Sequence, residues 1–216
     1  MKISDPDEVR ALYDGTAESY STMMDSEIDL PMYADVLGRL SERVAGATGP
    51  LVDTACGSGH MLARYRERYE PARQLIGIDL SPKMVAIAKA RLGSQAQVHL
   101  ADMRELPSFV QASSAVAVLN FFALHHLEGT QLAAALREWH RVLQPGGQLV
   151  VATWEGRGAI DYGGESDIVA IRYSRDELAA SAAAAGFAIT RCVVEPVAEM
   201  PMDAVYLEAV ALQPSG

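Results

Sequence analysis

The sequence predicts an α/β protein of three layers. A doubly wound sheet of about seven strands, mostly parallel with an antiparallel last strand, lies between helices, and N-terminal helices cap its site. Three observations carry this. From residue 51 onward, short apolar runs alternate with helical segments, the pattern of βαβ units. The runs are nearly continuous rather than alternating apolar and polar, as strands buried on both faces require. The last two runs, 187–194 and 205–212, have no helix between them, only a connection with two prolines. Such a connection favours an antiparallel pair at the sheet edge.

Each element has its own signal. Asp5-Pro6 supplies a capping carboxylate and then proline in the first turn, so a helix is expected from 5 to about 24. Pro31 restarts a helix to about 44, with Met32, Val36, Leu37 and Leu40 at helical spacing. Gly46 and Gly49-Pro50 break the chain. Strands are expected at 51–55, 74–79, 97–100, 116–119 and 148–153. Helices are expected between them at 60–69, 82–92 and 130–143, and an alanine-rich helix at 176–185.

A length of 216 residues suits one domain, with residues 1–46 as the helical cap and 50–216 as the core. The net charge of −10 opposes phosphate backbones, so neither DNA nor RNA is expected as partner. The two cysteines, Cys56 and Cys192, make no disulfide framework. No basic, apolar leader and no long apolar span appears, so a cytoplasmic protein without membrane contact is expected.

The chemistry is concentrated at strand ends. Asp53-Thr54-Ala55-Cys56-Gly57-Ser58-Gly59-His60 follows the first strand, and its glycines let the backbone approach a ligand closely. In an open α/β sheet the ligand crevice lies at the carboxyl ends of the strands. The plainer reading is an ordinary strand-to-helix turn. Asp79 ends the second strand, 20 residues after Gly59, about the spacing of an acidic ribose ligand. It could instead cap the next helix, but Ser81 can do that. Asp102 and Met103 follow the third strand, where a carboxylate could accept from an exocyclic amine and a thioether could pack on a ring. Gly-x-Gly-x-x-Gly would need glycine at position 62, which is Leu62, so a dehydrogenase is disfavoured.

This ordered set resembles the class I S-adenosylmethionine (SAM)-dependent methyltransferases, which have a Rossmann-like fold. Further matches are residues 122–127 after the fourth strand and 141–149 before the fifth. The resemblance runs from about Tyr13 to the C-terminus. It implies that Asp53, Ala55, Cys56, Gly57 and Gly59 face the methionine part of SAM. Asp79 would bind the ribose hydroxyls, with Leu80, Met84 and Met103 around the adenine and Asp102 on its amino group. Asn120 and Phe121 would sit near the sulfonium, and Tyr13 and Tyr20 would line the pocket. The chain departs from the pattern at Ala55, often glycine, and at Ser113-Ser114, where relatives carry an acidic residue.

His125 and His126 are the candidate general bases, since imidazole titrates near neutrality. The plainer reading is a structural pair. Adjacent histidines without a carboxylate or cysteine partner make no convincing metal site. The acceptor pocket is expected between the N-terminal helices and the segment after the fifth strand. Its candidates are Met23, Met24, Tyr33, Trp154, Tyr162 and Arg172, and each could instead be core packing. Glycines around Arg157 suggest a mobile lid. That short insert and the acidic charge favour a small-molecule acceptor, with oxygen or nitrogen methylated, and a monomer or homodimer. The alternatives are a protein or RNA methyltransferase, or a SAM-binding module without catalysis.

Overall fold

The computed structural model describes residues 5–160, 168–197 and 200–213. The chain opens with α1 (Pro6–Glu27) and α2 (Pro31–Arg43). The core continues as β1 (Leu51–Asp53), α3 (His60–Arg68), β2 (Leu75–Asp79), α4 (Pro82–Leu92), β3 (Gln97–Leu100) and β4 (Ala115–Phe121). It ends with α5 (Gly129–Val142), β5 (Leu143–Trp154), the short β6 (Ala159–Ile160) and β7 (Ala170–Ile171), α6 (Arg175–Ala184), β8 (Phe187–Pro196) and β9 (Asp203–Ala211).

Seven strands form one sheet in the order β3-β2-β1-β4-β5-β9-β8. The first five run parallel, whereas β9 is antiparallel to both β5 and β8. The expected doubly wound sheet is therefore present, and so is the expected antiparallel pair at its edge: β8 is outermost, and β9 joins it to β5. The strand order reverses between β1 and β4, which opens the crevice typical of such sheets.

Side-chain alternation assigns the two faces. On β4, Val118 packs with α5 and α6 through Leu136, Trp139 and Leu178. Its neighbours Ala117 and Leu119 pack with α2, α3 and α4 through Leu40, Leu62 and Val85. Burying one such aliphatic side chain contributes about 1.5–3 kcal/mol. Helices end where capping chemistry directs them. Asp5 accepts from Asp7 N at 2.8 Å, and Glu8 reaches back to Asp5 N. Ser81 caps α4 by accepting from Met84 N at 3.1 Å. α1 runs three residues past the expected end near 24.

The described part of the expected lid is held by backbone pairing. Arg172 N donates to Gly158 O, and β6 pairs antiparallel with β7. Tyr162 and its neighbours at 161–167 lie outside the described residues. Among the described residues, no helix is long and apolar enough to cross a membrane.

Candidate active site

The ends of β1, β2, β3 and β4 converge beneath α1. Gly57, at φ +50, donates its N–H to Asp79 Oδ2 at 2.8 Å, so the glycine turn and the β2 carboxylate are one unit. Ser81 N donates to Asp79 Oδ1 at 2.9 Å. Two backbone donors thus orient the carboxylate and leave further lone pairs for a ligand. Burial nevertheless pushes its pKa up. Tyr20 covers the turn: a Cβ on Gly57 would lie 3.2 Å from its ring.

Two adjoining chambers share Tyr20, Ala55, Phe121 and Phe122. The first is lined by Tyr13, Asp79, Leu80, Met84, Asp102, Met103 and His126. α1 roofs it through Pro6 and Val9 as well. The second holds Met24, Tyr33, Asp53, Cys56, Ser58 and His60. Tyr33 also packs on Phe121, with ring centroids 6.2 Å apart. Asp53 is almost fully buried, and among the described residues its Oδ1 accepts a single long 3.3 Å bond, from Ala55 N. Burial raises its pKa to about 7.

Asp102 lines the first chamber as expected, but it is already engaged. Arg104 donates to it through Nε at 2.9 and 3.0 Å and through Nη2 at 2.5 Å. Half-buried Asp102 is held below the usual carboxylate range, because these bonds outweigh desolvation. Arg104 itself lines the chamber and was invisible to motif reasoning.

Several expected residues take other positions. Gly59, at φ +82, lines neither chamber: a Cβ there would meet Leu92 Cδ1 at 3.0 Å, so its task is close packing of α3 on α4. Asn120 is fully buried behind the wall, donating to Thr54 Oγ1 at 3.0 Å and to Met103 Sδ at 3.3 Å. Met23 is 43% exposed and lines neither chamber, since α1 turns it outward. Trp154 supports the wall from behind, 4.7 Å from Phe122. Arg172 packs against Gly156 and donates to Arg157 O at 2.8 Å, away from both chambers.

The histidines divide. His126 faces the first chamber and shares a 2.8 Å hydrogen bond between its Nε2 and Tyr13 Oη. Burial pushes its pKa down to about 4. His125 is buried and lines neither chamber, and among the described residues its Nδ1 has no hydrogen-bond partner.

Four strand ends, a clamped carboxylate and an aromatic roof define a cleft for a nucleoside-bearing ligand on a doubly wound sheet. Residues 51–147 match the family described as a methyltransferase domain. Residues 51–147 thus carry a methyltransferase domain, and the chain has the Rossmann-like fold of class I SAM-dependent methyltransferases. An O-methyltransferase of Penicillium expansum, cnsE, is 30% identical over 166 residues, covering 68% of this chain and 58% of its own length. A malonyl-acyl-carrier-protein O-methyltransferase of Hahella chejuensis is 34% identical over 109 residues, or 50% of this chain and 37% of that enzyme. A 23S rRNA (guanine(748)-N(1))-methyltransferase of Streptomyces fradiae is 35% identical over 131 residues, 58% of this chain and 42% of its own. The chain spans roughly half the length of these relatives.

Among solved structures, the 1,6-didemethyltoxoflavin-N1-methyltransferase of Burkholderia thailandensis aligns with a TM-score of 0.74 at 20% identity, over 99% of this chain and 93% of that one. It holds 1,6-didemethyltoxoflavin and S-adenosylhomocysteine (SAH). The (4+2)-cyclase SpnF aligns at 0.76 with 19% identity, over 98% of each chain. At these identities the likeness shows the fold, and the two named activities differ.

Proposed function

We propose that this chain is a SAM-dependent methyltransferase acting on a small-molecule acceptor, with oxygen or nitrogen as the methylated atom. The observation that carries this is the Gly57–Asp79 clamp, which brings two strand-end motifs into one buried cleft. The residues present fit SAM. Asp79 has lone pairs for the ribose hydroxyls. Leu80, Met84 and Met103 form apolar walls for the adenine. Asp102 reaches the adenine amino group while sharing its charge with Arg104. The second chamber takes the methionine end, where buried Asp53 complements an ammonium group.

SAM supplies an electrophilic methyl group that needs little covalent help. The chain's own task is to hold the acceptor in line with that methyl and to exclude water. α1, through Tyr13 and Tyr20, closes the cleft. Phe121 and Phe122 stand between the chambers as the surface against which an acceptor is oriented. Phe122 adopts φ +50, an uncommon backbone for a bulky residue, and its N–H is fixed on Ala152 O at 2.8 Å. His126, neutral at physiological pH and bonded to Tyr13, positions that phenol rather than acting as a strong base.

The small-molecule reading draws on the narrow, roofed chambers and on the net charge of −10, which disfavours nucleic acid. The test is methyl transfer from labelled SAM to panels of phenols, amines and heterocycles, with RNA and protein substrates alongside. Label in a small molecule supports the proposal. Label only in RNA or protein, or saturable SAM binding with no transfer to anything, sinks it.

A further inference from the structure

At the end of the glycine turn, α1, α3 and α4 meet beside the second chamber. His60 Nε2 lies 2.7 Å from Asp25 Oδ1 of α1, and His60 Nδ1 lies 2.8 Å from Ser58 Oγ. Arg91 of α4 grips both ends: its Nη2 donates to Asp25 at 2.9 Å and its Nε to Ser58 O at 3.0 Å. Ser58 and His60 are both nearly fully buried, and both line the second chamber.

The chemistry fixes the direction of every proton. Its bonds to His60 and Arg91 hold Asp25 below the usual carboxylate range, so it is ionised and only accepts. His60 must therefore carry its proton on Nε2. Burial lowers the imidazole pKa, so the ring is neutral and Nδ1 is a bare acceptor. Ser58 fills it by donating its hydroxyl proton. What Ser58 Oγ retains is lone pairs. The same chamber contains the Asp53 carboxylate, another acceptor. Two buried acceptors lining one chamber fit a donor-only, positively charged partner.

We infer that Asp25, His60 and Ser58 form a proton-ordered relay that makes Ser58 Oγ an acceptor for the α-ammonium group at the methionine end of the cofactor. The inference rests on the cofactor reading above and assigns His60 as a positioning residue acting through Ser58. Because Asp25 belongs to α1 and Ser58 to the glycine turn, the relay also ties closure of the roof to the shape of the ammonium subsite.

The experiment is titration calorimetry with SAH and with its analogue in which hydrogen replaces the α-amino group, on the parent, Ser58→Ala, His60→Phe and His60→Asn. Ser58→Ala and His60→Phe are expected to weaken SAH about ten- to a hundredfold, the effect of a bond to a charged group. They should leave the deaminated analogue within about threefold of the parent. His60→Asn, whose amide oxygen can take the Ser58 proton, should recover much of the SAH affinity. Equal losses for both ligands would reduce the relay to a structural element and overturn the inference. So would unchanged SAH binding in Ser58→Ala. A parent that binds neither ligand would instead sink the cofactor reading, and the inference with it.

Discussion

Asp53 shows how burial sets the chemistry of single residues. Its folded pKa of about 7 lies well above the ordinary carboxylate value. Protonated Asp53 therefore favours the folded state at acid pH, and that contribution is lost as pH rises through about 7. An ammonium ligand reverses the preference, because it needs the ionised form. SAM affinity is expected to rise from pH 5 to about 7 and then level off. Calorimetry across that range, repeated on Asp53→Asn, should show the slope flattened to the residual part belonging to Asp79, whose pKa is also raised by burial. An unchanged slope would remove Asp53 from the site. His126 gives a second prediction. With a pKa near 4, it should put no inflection near 6.5 in the pH profile of kcat/KM, and an inflection there that His126→Ala abolishes would contradict its positioning role. At this scale the sequence was legible where glycine and acid spacing spoke, as at Gly57 and Asp79. Ser58 and His60 stood inside the motif, but their partner Asp25 is 35 residues from His60 and carries no local signal.

The elements are held by side chains that reach across the layers. Trp139 of α5 is fully buried and donates Nε1–H to Met103 O at 2.9 Å, while Glu138 accepts from Leu106 N at 3.0 Å. The loop after β3 is thus pinned from below. Trp139→Phe should destabilise the fold by about 1–3 kcal/mol, measured by urea unfolding, through the unpaired carbonyl and lost volume. Arg73 pins the opposite end of the sheet. Its guanidinium donates to Ala47 O at 2.7 Å, Gly49 O at 3.0 Å and Val44 O at 3.2 Å and pairs with Glu70. Arg73→Ala should cost about 3 kcal/mol, because it strands a carboxylate and three carbonyls; a change under about 0.5 kcal/mol would contradict this. Periodicity and caps located all the long helices. The two-residue strands β6 and β7 were beyond it, being shorter than any period. β5 begins at Leu143 rather than near 148 because Pro145-Gly146-Gly147 bends within a paired strand.

For the whole molecule, the alternating pattern from residue 51 made a doubly wound, mostly parallel sheet readable, since such chains follow few topologies. The position of β9 between β5 and β8 was not readable, because a proline-containing connection sets the direction of a strand and not its neighbour. α2 shares a hydrophobic cluster with the sheet, and Arg39 of α2 pairs with buried Glu208 of β9 at 2.8 Å. Cap and core are accordingly expected to unfold in one cooperative transition, and SAH at about 100 times its Kd should raise Tm by roughly 5–10 °C. Two separate transitions in calorimetry would divide the chain into independent units.

The cleft around Asp79 is the proposed SAM site. Titration calorimetry of the parent and Asp79→Ala with SAM, SAH and NAD tests it most directly. Saturable binding of SAM and SAH is expected, with none of NAD and at least about a hundredfold weaker SAM binding in the variant. NAD binding, or equal SAM affinity in parent and variant, would contradict it.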